Sequence, residues 1–398
     1  MKLVQINATC GAGSTGKICV AVSKLLWQHD IENYVYYVSR SSDYPYGVKY
    51  MTPRELKIQA LRSRILGNYG FNSHKATDRL LKELESVDPD IVHLHNVHGH
   101  NCDLGLLMDY LRQKKKKIYW TFHDCWCFTG YCTHYSMSRC NNWKDGCREC
   151  PQWRRYSWFF DRSIRMFEQK KRAFSDLDLT IITPSKWLGQ QVEQSFLQSY
   201  PVKVIHNGID LDVFKPIGSD LRVQYSLRDK VVILGVAAGW DDRKGLDVFI
   251  SLADRLDENY QLVLVGTNDK VDKRLPKTIL SIHRTENQFE LAKWYSLASV
   301  FVNPTREDTF PTVNIEALAC GTPVVTFRTG GSPESIDETC GMVVEKDDVD
   351  GLEAAIRYIA EKKPFSEEAC IRRAQEFDER EKFSEYLSVY FEDLGRSE

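Results

Sequence analysis

Short apolar segments alternate along the whole chain with longer stretches of helical periodicity. In the first half the apolar segments are KLVQIN, NYVYYV, DIVHLH, KIYWTF and LTIITPS. Between them apolar residues recur at helical spacing, as in Ile18, Val22, Leu25 and Leu26. The series begins again after PVKVIHNGIDLDVFKP with VVILGVAA, YQLVLVG, SVFVNP and TPVVTF. Such alternation is typical of a parallel sheet covered on both faces, so the pattern predicts two doubly wound α/β units with a boundary near residues 200–216.

The length of the chain, 398 residues, agrees with this division, because a single hydrophobic core rarely grows so large. We expect an N-terminal Rossmann-like domain over residues 1–200 and a C-terminal Rossmann-like domain over residues 201–375. A terminal segment over residues 376–398 is charged and carries an apolar stripe at helical spacing. We expect this segment to form a helix that packs back on the N-terminal domain.

Composition narrows the class of protein. The chain is 42% hydrophobic and 27% charged, with a net charge of −2, whereas nucleic-acid-binding domains are usually basic. The first residues resemble a strand more than a secretion signal. The longest apolar run, VVILGVAAGW, is about half as long as a membrane-spanning helix requires. We therefore expect a cytoplasmic protein with no nucleic-acid partner, either soluble or attached to the inner face of a membrane.

A glycine-rich loop, CGAGSTGKI, follows the first predicted strand. Gly11, Gly16 and Lys17 fit the Walker A spacing, and Gly11, Gly13 and Gly16 fit the dinucleotide-binding fingerprint. Walker A needs a hydroxyl after the lysine to ligate Mg²⁺, and Ile18 occupies that position. The dinucleotide fingerprint needs an acidic residue about twenty positions further on, and none is suitably placed. The glycine spacing therefore predicts a phosphate-loop geometry. The residues that would make the loop a Walker A site or a dinucleotide-binding site are absent.

The segment TREDTFPTVNIEALACGTPVVTFRTGGSPE of the second half has features suited to a sugar nucleotide. Glu316 lies in a helix predicted to begin near Pro311, where a carboxylate can accept hydrogen bonds from sugar hydroxyls. Gly330 and Gly331 allow a ligand to approach the backbone closely. Upstream, the pair RK of GWDDRKG stands at a predicted helix start, an arrangement typical of a diphosphate clamp. These segments all follow predicted strands, where doubly wound sheets bind their ligands.

Taken in order, these segments resemble the retaining GT-B glycosyltransferases of the large bacterial polysaccharide family that includes sucrose synthase. The matching segments run nearly end to end and are GAGSTGK, TFHD, TPS, NGID, RKG, EDTFP, ACGTPVV and GGSPE. The resemblance implies two Rossmann-like domains facing a central cleft. It implies transfer of a sugar from a nucleotide-sugar donor to a sugar or lipid-linked sugar acceptor, with retained configuration and no cofactor for catalysis. Cell-surface polysaccharide or glycolipid synthesis is the setting it implies.

The resemblance also implies the roles of individual residues. His123 matches a histidine that touches the donor sugar, Lys244 matches a lysine that neutralises the leaving diphosphate, and Glu316 matches the carboxylate that binds the donor ribose. The implied catalytic residues are His123, Lys244, Asp308 and Glu307. The implied donor-binding residues are Gly13, Gly16, Arg243, Lys244, Glu316, Gly330 and Gly331.

Two positions depart from the family pattern. The family pairs two glutamates separated by seven residues, and here the slot before Glu316 holds Asp308, with Glu307 one position earlier. Either acid can hold the sugar hydroxyls. The arginine that often follows the glycine after the first C-terminal-domain strand is replaced by Trp240, and Arg243 is an alternative source of positive charge. The sequence singles out no carboxylate nucleophile, so we favour front-face attack over double displacement.

Half of the twelve cysteines lie between residues 125 and 150, in a predicted loop excursion. In a reducing compartment such clustering favours a metal site over disulfides. The segment CRECP supplies a C-x-x-C knuckle, which suits tetrahedral zinc. We expect a structural zinc on Cys132, Cys140, Cys147 and Cys150. Because the first two are separated by an unusually wide spacing, His134, Cys125 and Cys127 remain alternative ligands, and free thiols or oxidation-dependent disulfides remain alternative states.

Two further segments each have a functional and a structural interpretation. The four histidines of HLHNVHGH either line the cleft and support structure or bind a metal. Residues 148–172 interleave eight basic residues with aromatic ones. That segment predicts either a surface helix with a buried apolar face or a peripheral patch that contacts anionic lipid.

Two other function classes stay open. A GT-B sugar-nucleotide epimerase or hydrolase would use water in place of the acceptor, and product analysis would distinguish it. A non-enzymatic zinc-dependent binding module would account for the cysteines. Such a module has no need of the donor-site segments in the second half.

Overall fold

The structure, a computed structural model, describes residues 1–41 and 43–393. The chain divides into two compact units. Among the described residues, the N-terminal unit contains those of 1–205 together with 383–393, and the C-terminal unit contains 206–382. Each unit is a parallel sheet flanked by helices, which confirms the predicted doubly wound α/β class. In the described part of the chain no helix is long and apolar enough to cross a bilayer.

The N-terminal unit has a seven-stranded parallel sheet of order β3-β2-β1-β4-β5-β6-β7. Its strands are β1 (Lys2–Ile6), β2 (Glu32–Tyr37), β3 (Gly47–Lys49), β4 (Ile91–Leu94), β5 (Lys117–Thr121), β6 (Leu179–Thr183) and β7 (Val202–Val204). Its helices are α1 (Gly13–Gln28), α2 (Pro53–Leu66), α3 (His74–Val87), α4 (Leu104–Gln113), α5 (Ser163–Ala173) and α6 (Lys186–Glu193). The strand order reverses between β1 and β4, so the loops after these strands lie at a topological switch point, the usual ligand position in such sheets.

The C-terminal unit has a six-stranded parallel sheet of order β10-β9-β8-β11-β12-β13. Its strands are β8 (Val231–Val236), β9 (Tyr260–Val265), β10 (Leu280–Ile282), β11 (Val300–Asn303), β12 (Val324–Phe327) and β13 (Gly341–Val344). Its helices are α7 (Leu221–Gln224), α8 (Leu246–Ala253), α9 (Asp269–Asp272), α10 (Gln288–Leu297), α11 (Thr312–Ala319), α12 (Val349–Lys362) and α13 (Glu367–Gln375). The strand order again reverses, here between β8 and β11.

Both faces of the C-terminal sheet are covered, which explains its continuous apolar strands. Successive strand residues point to opposite faces, and Ile233 and Leu234 of β8 belong to two different core clusters. The cluster that contains Leu234 includes Ile315 of α11, while the cluster that contains Ile233 includes Phe249 of α8.

The last described helix, α14 (Glu379–Asp393), buries its apolar stripe in the N-terminal unit. Phe383, Tyr386 and Tyr390 share a core cluster with Leu3 of β1 and Ile18 of α1. The hydroxyl of Tyr119 donates to the carbonyl of Val389 at 3.2 Å. The end of the segment predicted as terminal helix, residues 394–398, lies outside the described residues.

Candidate functional site

Lys244 and Asp308 form an ion pair at the carboxyl end of the C-terminal sheet. Lys244 Nζ lies 2.6 Å from Asp308 Oδ2, and the two side chains are 21% and 19% exposed. Lys244 ends a 3-10 turn after β8, where the Asp241 carboxylate accepts a hydrogen bond from its backbone N–H at 3.0 Å. The pair therefore places one cation and one anion at the topological switch point, partly shielded from solvent.

The turn that carries Lys244 is fixed by its neighbours. Gly245 has φ +77°, and a Cβ there would lie 2.5 Å from the carbonyl oxygen of Pro304, so only glycine fits. The carbonyl of Arg243 accepts a hydrogen bond from the N–H of Arg306 at 2.8 Å. The Arg243 side chain is half-buried. These contacts hold the RKG turn against the loop that follows β11.

The loop TGGSPE packs directly on the loop that contains Asp308. Gly330 has φ +53°, and a Cβ there would lie 1.7 Å from the carbonyl oxygen of Asp308. The N–H of Gly331 donates to the same oxygen at 3.3 Å. Lys244, Asp308, Gly330 and Gly331 are thus brought together within one unit, as loops after three different strands converge.

The two other acids of the predicted site have different environments. Glu307 is 4% exposed, next to Asp308, and its backbone carbonyl accepts a hydrogen bond from Thr305 Oγ1 at 3.2 Å. Glu316 is the fifth of the eight residues of α11 and is only half-buried. Its Oε2 accepts a hydrogen bond from Tyr295 Oη at 2.9 Å. Burial, with Glu316 adding to it, raises the pKa of Tyr295 well above its ordinary value, so the phenol stays a donor that fixes this carboxylate.

Trp240, which departs from the family pattern, and Arg306, which no motif predicted, have structural roles here. Trp240, at the position where the family often has arginine, is 8% exposed and donates from Nε1 to the carbonyl of Val265 at 2.9 Å. Arg306 lies between two carboxylates: its guanidinium contacts both carboxylate oxygens of Asp247 at 2.7 and 2.8 Å and Asp347 at 2.6 Å. These ion pairs raise the pKa of Arg306. They also tie the loop that contains Arg306 to the segments that contain Asp247 and Asp347.

In the N-terminal unit His123 follows β5 and belongs to a hydrogen-bonded chain. Gln5 Nε2 donates to the carbonyl of Cys19 at 3.0 Å, which leaves Gln5 Oε1 to accept from His95 Nε2 at 3.1 Å. His95 Nδ1 then accepts from His123 Nε2 at 3.1 Å. The network therefore assigns the proton of His123 to Nε2 and an acceptor lone pair to Nδ1.

Burial keeps the histidines of this hydrogen-bond network, and the neighbouring His93, uncharged. It lowers the pKa of His123 to about 4 and that of His93 to about 3, and it lowers the pKa of His95 well below its ordinary value. His93 Nε2 lies 2.9 Å from Thr121 Oγ1, and His93 Nδ1 lies 2.6 Å from Tyr390 Oη. Near neutral pH, His123 consequently offers a hydrogen bond and no positive charge.

The remaining histidines of the HLHNVHGH segment also have protein partners. His98 Nε2 lies 2.9 Å from Asp124 Oδ2, and its Nδ1 lies 3.4 Å from Tyr69 Oη. The ring of His100 makes an edge contact with Tyr69. These contacts favour a structural, loop-supporting interpretation of the cluster over a metal site.

The glycine loop closes the beginning of α1. The N–H of Gly11 donates to the carbonyl of Gly16 at 2.8 Å, and Gly16 is buried against Thr9. Gly13 is exposed at the first position of α1, with φ +69° and nothing within 4 Å of a hypothetical Cβ. The first turn of α1 has neither a side-chain cap nor an acidic residue, and Lys17 is exposed beside it.

The four predicted zinc ligands line one small cavity in the N-terminal unit: Cys132, Cys140, Cys147 and Cys150. The sulfur atoms of Cys132 and Cys150 lie 3.9 Å apart. All twelve cysteines fall in the described part of the chain, and all are thiols without a disulfide. Among the described residues, three metal-ligating atoms within 4.8 Å of one another occur only at Asp269, Asp272 and His283, so the thiols are not preassembled as a coordination sphere.

Comparison with known proteins covers most of the chain. Residues 17–213 match the family model described as Glycosyltransferase Family 4, and residues 229–362 match the model described as Glycosyl transferases group 1. A putative colanic acid biosynthesis glycosyl transferase of Escherichia coli K12, WcaC, is 22% identical over 88% of each chain. A D-inositol 3-phosphate glycosyltransferase of Streptomyces bingchenggensis is 31% identical over 36% of each chain.

Solved structures resemble the whole chain at low sequence identity. Sucrose-phosphate synthase of Thermosynechococcus elongatus superposes with a TM-score of 0.72 and 17% identity, covering 100% of both chains. Anabaena HepE in complex with UDP gives a TM-score of 0.69 and 14% identity, covering 98% of this chain and 99% of HepE. At this identity the likeness describes the fold.

Proposed function

Since the chain belongs to the GT-B glycosyltransferases of the family-four and group-one type, we propose that it transfers a sugar from a nucleotide-sugar donor to an acceptor hydroxyl with retained anomeric configuration. The observation that carries this proposal is the convergence of Lys244, Asp308 and the Gly330–Gly331 loop at the switch point of the C-terminal sheet. Donors of this class have a diphosphate, which needs positive charge, and a sugar, which needs acceptors for its hydroxyls.

Lys244 neutralises the diphosphate as it leaves. Its ammonium meets charge that grows in the transition state, which is where electrostatic stabilisation accelerates a reaction. Asp308 holds this ammonium at 2.6 Å, and the contact orients the lysine toward the donor site. Arg243, on the same turn, supplies a second cation.

The acids bind hydroxyl groups of the donor. Glu316, fixed by Tyr295, accepts hydrogen bonds from the ribose, and Glu307 or Asp308 holds the transferred sugar. His123 accepts a hydrogen bond from a sugar hydroxyl through Nδ1, because its Nε2 proton is given to His95. Gly13 and Gly16 shape a loop that lets donor or acceptor oxygens approach the first turn of α1.

The reaction proceeds by front-face attack. The acceptor oxygen bonds to the anomeric carbon as the bond to the diphosphate oxygen breaks, and a phosphate oxygen takes the acceptor proton. Catalysis by this route needs no cofactor, since Lys244, Arg243 and backbone amides neutralise the leaving group. A zinc ion on the thiols of the N-terminal unit would be structural.

The acceptor is a sugar or a lipid-linked sugar of cell-surface polysaccharide or glycolipid synthesis. The name of the Escherichia coli relative supports this setting, and so does one surface of the N-terminal unit. Trp158, Phe159 and Phe160 are 52%, 61% and 53% exposed. In the sequence they are flanked by arginines 154, 155, 162 and 165. Exposed aromatic residues among basic ones suit the headgroup region of an anionic membrane, so we propose a peripheral attachment at the cytoplasmic face.

A panel of nucleotide sugars tests the proposed activity. Binding is measured by titration calorimetry, and transfer or slow hydrolysis is followed by nucleotide release, beginning with UDP-glucose because HepE is solved with it. Retention is checked by NMR of the product anomer. Formation of an epimerised free sugar would favour the epimerase or hydrolase alternative. Failure of every nucleotide sugar to bind would refute the donor site and favour a non-enzymatic binding module.

Flotation on vesicles tests the membrane contact. We expect co-flotation with vesicles that contain phosphatidylglycerol and loss of it in a Trp158→Ser, Phe159→Ser variant. Phe289→Ser is the matched control, since Phe289 is 52% exposed in the C-terminal unit. Equal flotation of all three proteins would refute the attachment.

A further inference from the structure

The segment between the 3-10 turn at Trp126–Phe128 and helix α5 has few means of holding its shape. Its regular structure is one further 3-10 turn, Trp153–Arg155, yet it buries large side chains such as Tyr131 and Trp143. Four thiols line a small cavity in this segment, and the rest of the cavity wall is formed by five other residues. The thiols belong to Cys132, Cys140, Cys147 and Cys150, and the other lining residues are Thr129, Tyr135, Asn142, Trp143 and Arg148. We propose that this cavity binds one structural Zn²⁺ ion through the four cysteine sulfurs.

The distance between two of the thiols already suits zinc. Zn–S bonds of about 2.3 Å in a tetrahedron place neighbouring sulfurs about 3.8 Å apart. Cys132 and Cys150 have their sulfur atoms 3.9 Å apart although they are separated by 17 residues in the chain. This pair alone would also suit a disulfide after a small movement, so the other two thiols decide between the alternatives.

Cys147 belongs to the same knuckle as Cys150 and lies close to a backbone donor. Its sulfur accepts a hydrogen bond from the N–H of Gly130 at 3.0 Å, a contact that stabilises a thiolate more than a thiol. Cys140 completes the cavity wall and is half-buried. Since no three sulfurs yet lie within 4.8 Å of one another, Cys140 and Cys147 must rotate toward the ion as it binds.

A buried cation beside the cavity is the second observation. Lys170 of α5 is fully buried, donates to the carbonyls of Trp126 and Thr129 at 2.6 and 2.8 Å, and lies 3.6 Å from the centre of the Trp126 ring. Burial lowers the pKa of this ammonium to about 7, and the nearby Asp124 carboxylate opposes that change. Thiolates at Cys127, Cys147 or Cys132 would oppose it further. A buried ammonium needs a counter-charge.

Zinc binding would add to the counter-charge that Asp124 provides. Four thiols release four protons as they bind Zn²⁺, and the resulting tetrathiolate site has a net charge of −2. Lys170 compensates part of it. A disulfide between Cys132 and Cys150 would instead leave this region with no added negative charge. The electrostatics therefore favour the metal over the disulfide.

The ion would order the loop that follows His123. The N–H of Cys125 donates to the carbonyl of Thr133 at 2.9 Å, and Asp124 receives the N–H of Trp126 at 2.9 Å and holds His98. Zinc at Cys132 would fix the far end of this network. Its role is thus in positioning the loop, separate from the transfer chemistry proposed above.

Metal analysis of the whole protein tests the proposal. Protein purified without chelator should contain one zinc per chain by elemental analysis and native mass spectrometry. Titration with a mercurial should release that zinc after four thiols have reacted. Protein produced with Co²⁺ should show the absorption bands of tetrahedral tetrathiolate cobalt, and this measurement needs no variant to fold.

Variants identify the ligands. A Cys147→Ser, Cys150→Ser variant should lose the zinc. Cys127→Ser should keep it, since Cys127 is a buried thiol of the preceding 3-10 turn and does not line the cavity. Zinc-free wild-type protein, an intact mass two hydrogens lighter than the reduced chain, or a cobalt spectrum with nitrogen ligation would each overturn the tetrathiolate site. Loss of zinc from Cys127→Ser would overturn the ligand set. Donor binding, measured separately, reports on the proposed function independently of these results.

Discussion

Replacement of Lys244 by alanine is the sharpest test of the donor site. Its ammonium and the Asp308 carboxylate are about one-fifth exposed, so the field at this position is only partly screened. At an effective dielectric constant near 20, the Coulomb attraction between a cation and a unit negative charge about 4 Å away is about 4 kcal/mol. Removal of one group that stabilises a developing charge typically costs about 10²–10³ in kcat. We expect a loss of that size in Lys244→Ala.

The fold should tolerate this change. A partly exposed ion pair stabilises a protein by roughly 0–1 kcal/mol, and Lys244 lies at the end of a turn whose geometry depends on Gly245 and Asp241. The melting temperature should therefore move little. A large loss of kcat with an unchanged melting temperature separates catalysis from stability.

Steady-state transfer with the donor found in the nucleotide-sugar panel is the assay. Asp308→Asn and Glu307→Gln should each lose less kcat, because hydroxyl contacts are shared with the ground state whereas the charge on the diphosphate grows in the transition state. Lys270→Ala is the control, since Lys270 is an exposed lysine of the same unit. Equal losses in the three site variants would refute the special role of the lysine.

Three further predictions concern the same site and its surroundings. Glu316→Gln should weaken nucleotide binding by about 1.5–3 kcal/mol, because an amide replaces a charged acceptor; unchanged affinity in calorimetry would place the donor elsewhere. Brief treatment with EDTA should leave most of the transfer activity, and an absolute requirement for Mg²⁺ or Mn²⁺ would contradict the cation role of Lys244. Burial lowers the pKa of His123 from an ordinary 6.5 to about 4, so the unfolded chain binds more protons between these values. The stability that this neutral histidine contributes is therefore complete above pH 6.5 and is lost as the pH falls toward about 4. The free energy of unfolding, measured by denaturant melts across this window, should depend less steeply on pH in His123→Gln than in the wild type. An unchanged slope would contradict the burial argument.

The strands that the hydrophobic pattern predicts are the inner ones. All nine predicted strands are present, and the four that it does not predict are β3, β7, β10 and β13, which lie at the edges of the two sheets. An edge strand pairs on one side only and has three or four residues here, so it needs no long apolar run. β7 lies within the segment PVKVIHNG that the sequence marks only as a boundary.

Some features of the site depend on contacts that no local pattern contains. Glycine and charge spacing point to the RKG and TGGSPE loops, because each motif is contiguous. Two sets of hydrogen bonds join residues from different elements. One connects Tyr295 with Glu316, and the other runs from Gln5 through His95 to His123. Only the parallel order of the strands brings such side chains together, and a strand order is not written in periodicity.

Asp308 shows why motif residues must be tested atom by atom. Its side chain holds Lys244, while its backbone carbonyl is the surface against which Gly330 and Gly331 pack. Asp308→Asn alters the first contact and leaves the second, whereas Gly330→Ala would force a Cβ to 1.7 Å from that carbonyl and disturb the loop without touching a charge. If donor affinity falls in Gly330→Ala but the Lys244 contribution to kcat persists, loop shape and leaving-group neutralisation are separable functions of this one segment. If the contribution of Lys244 to kcat disappears as well, the loop that contains Gly330 determines the position of the lysine side chain.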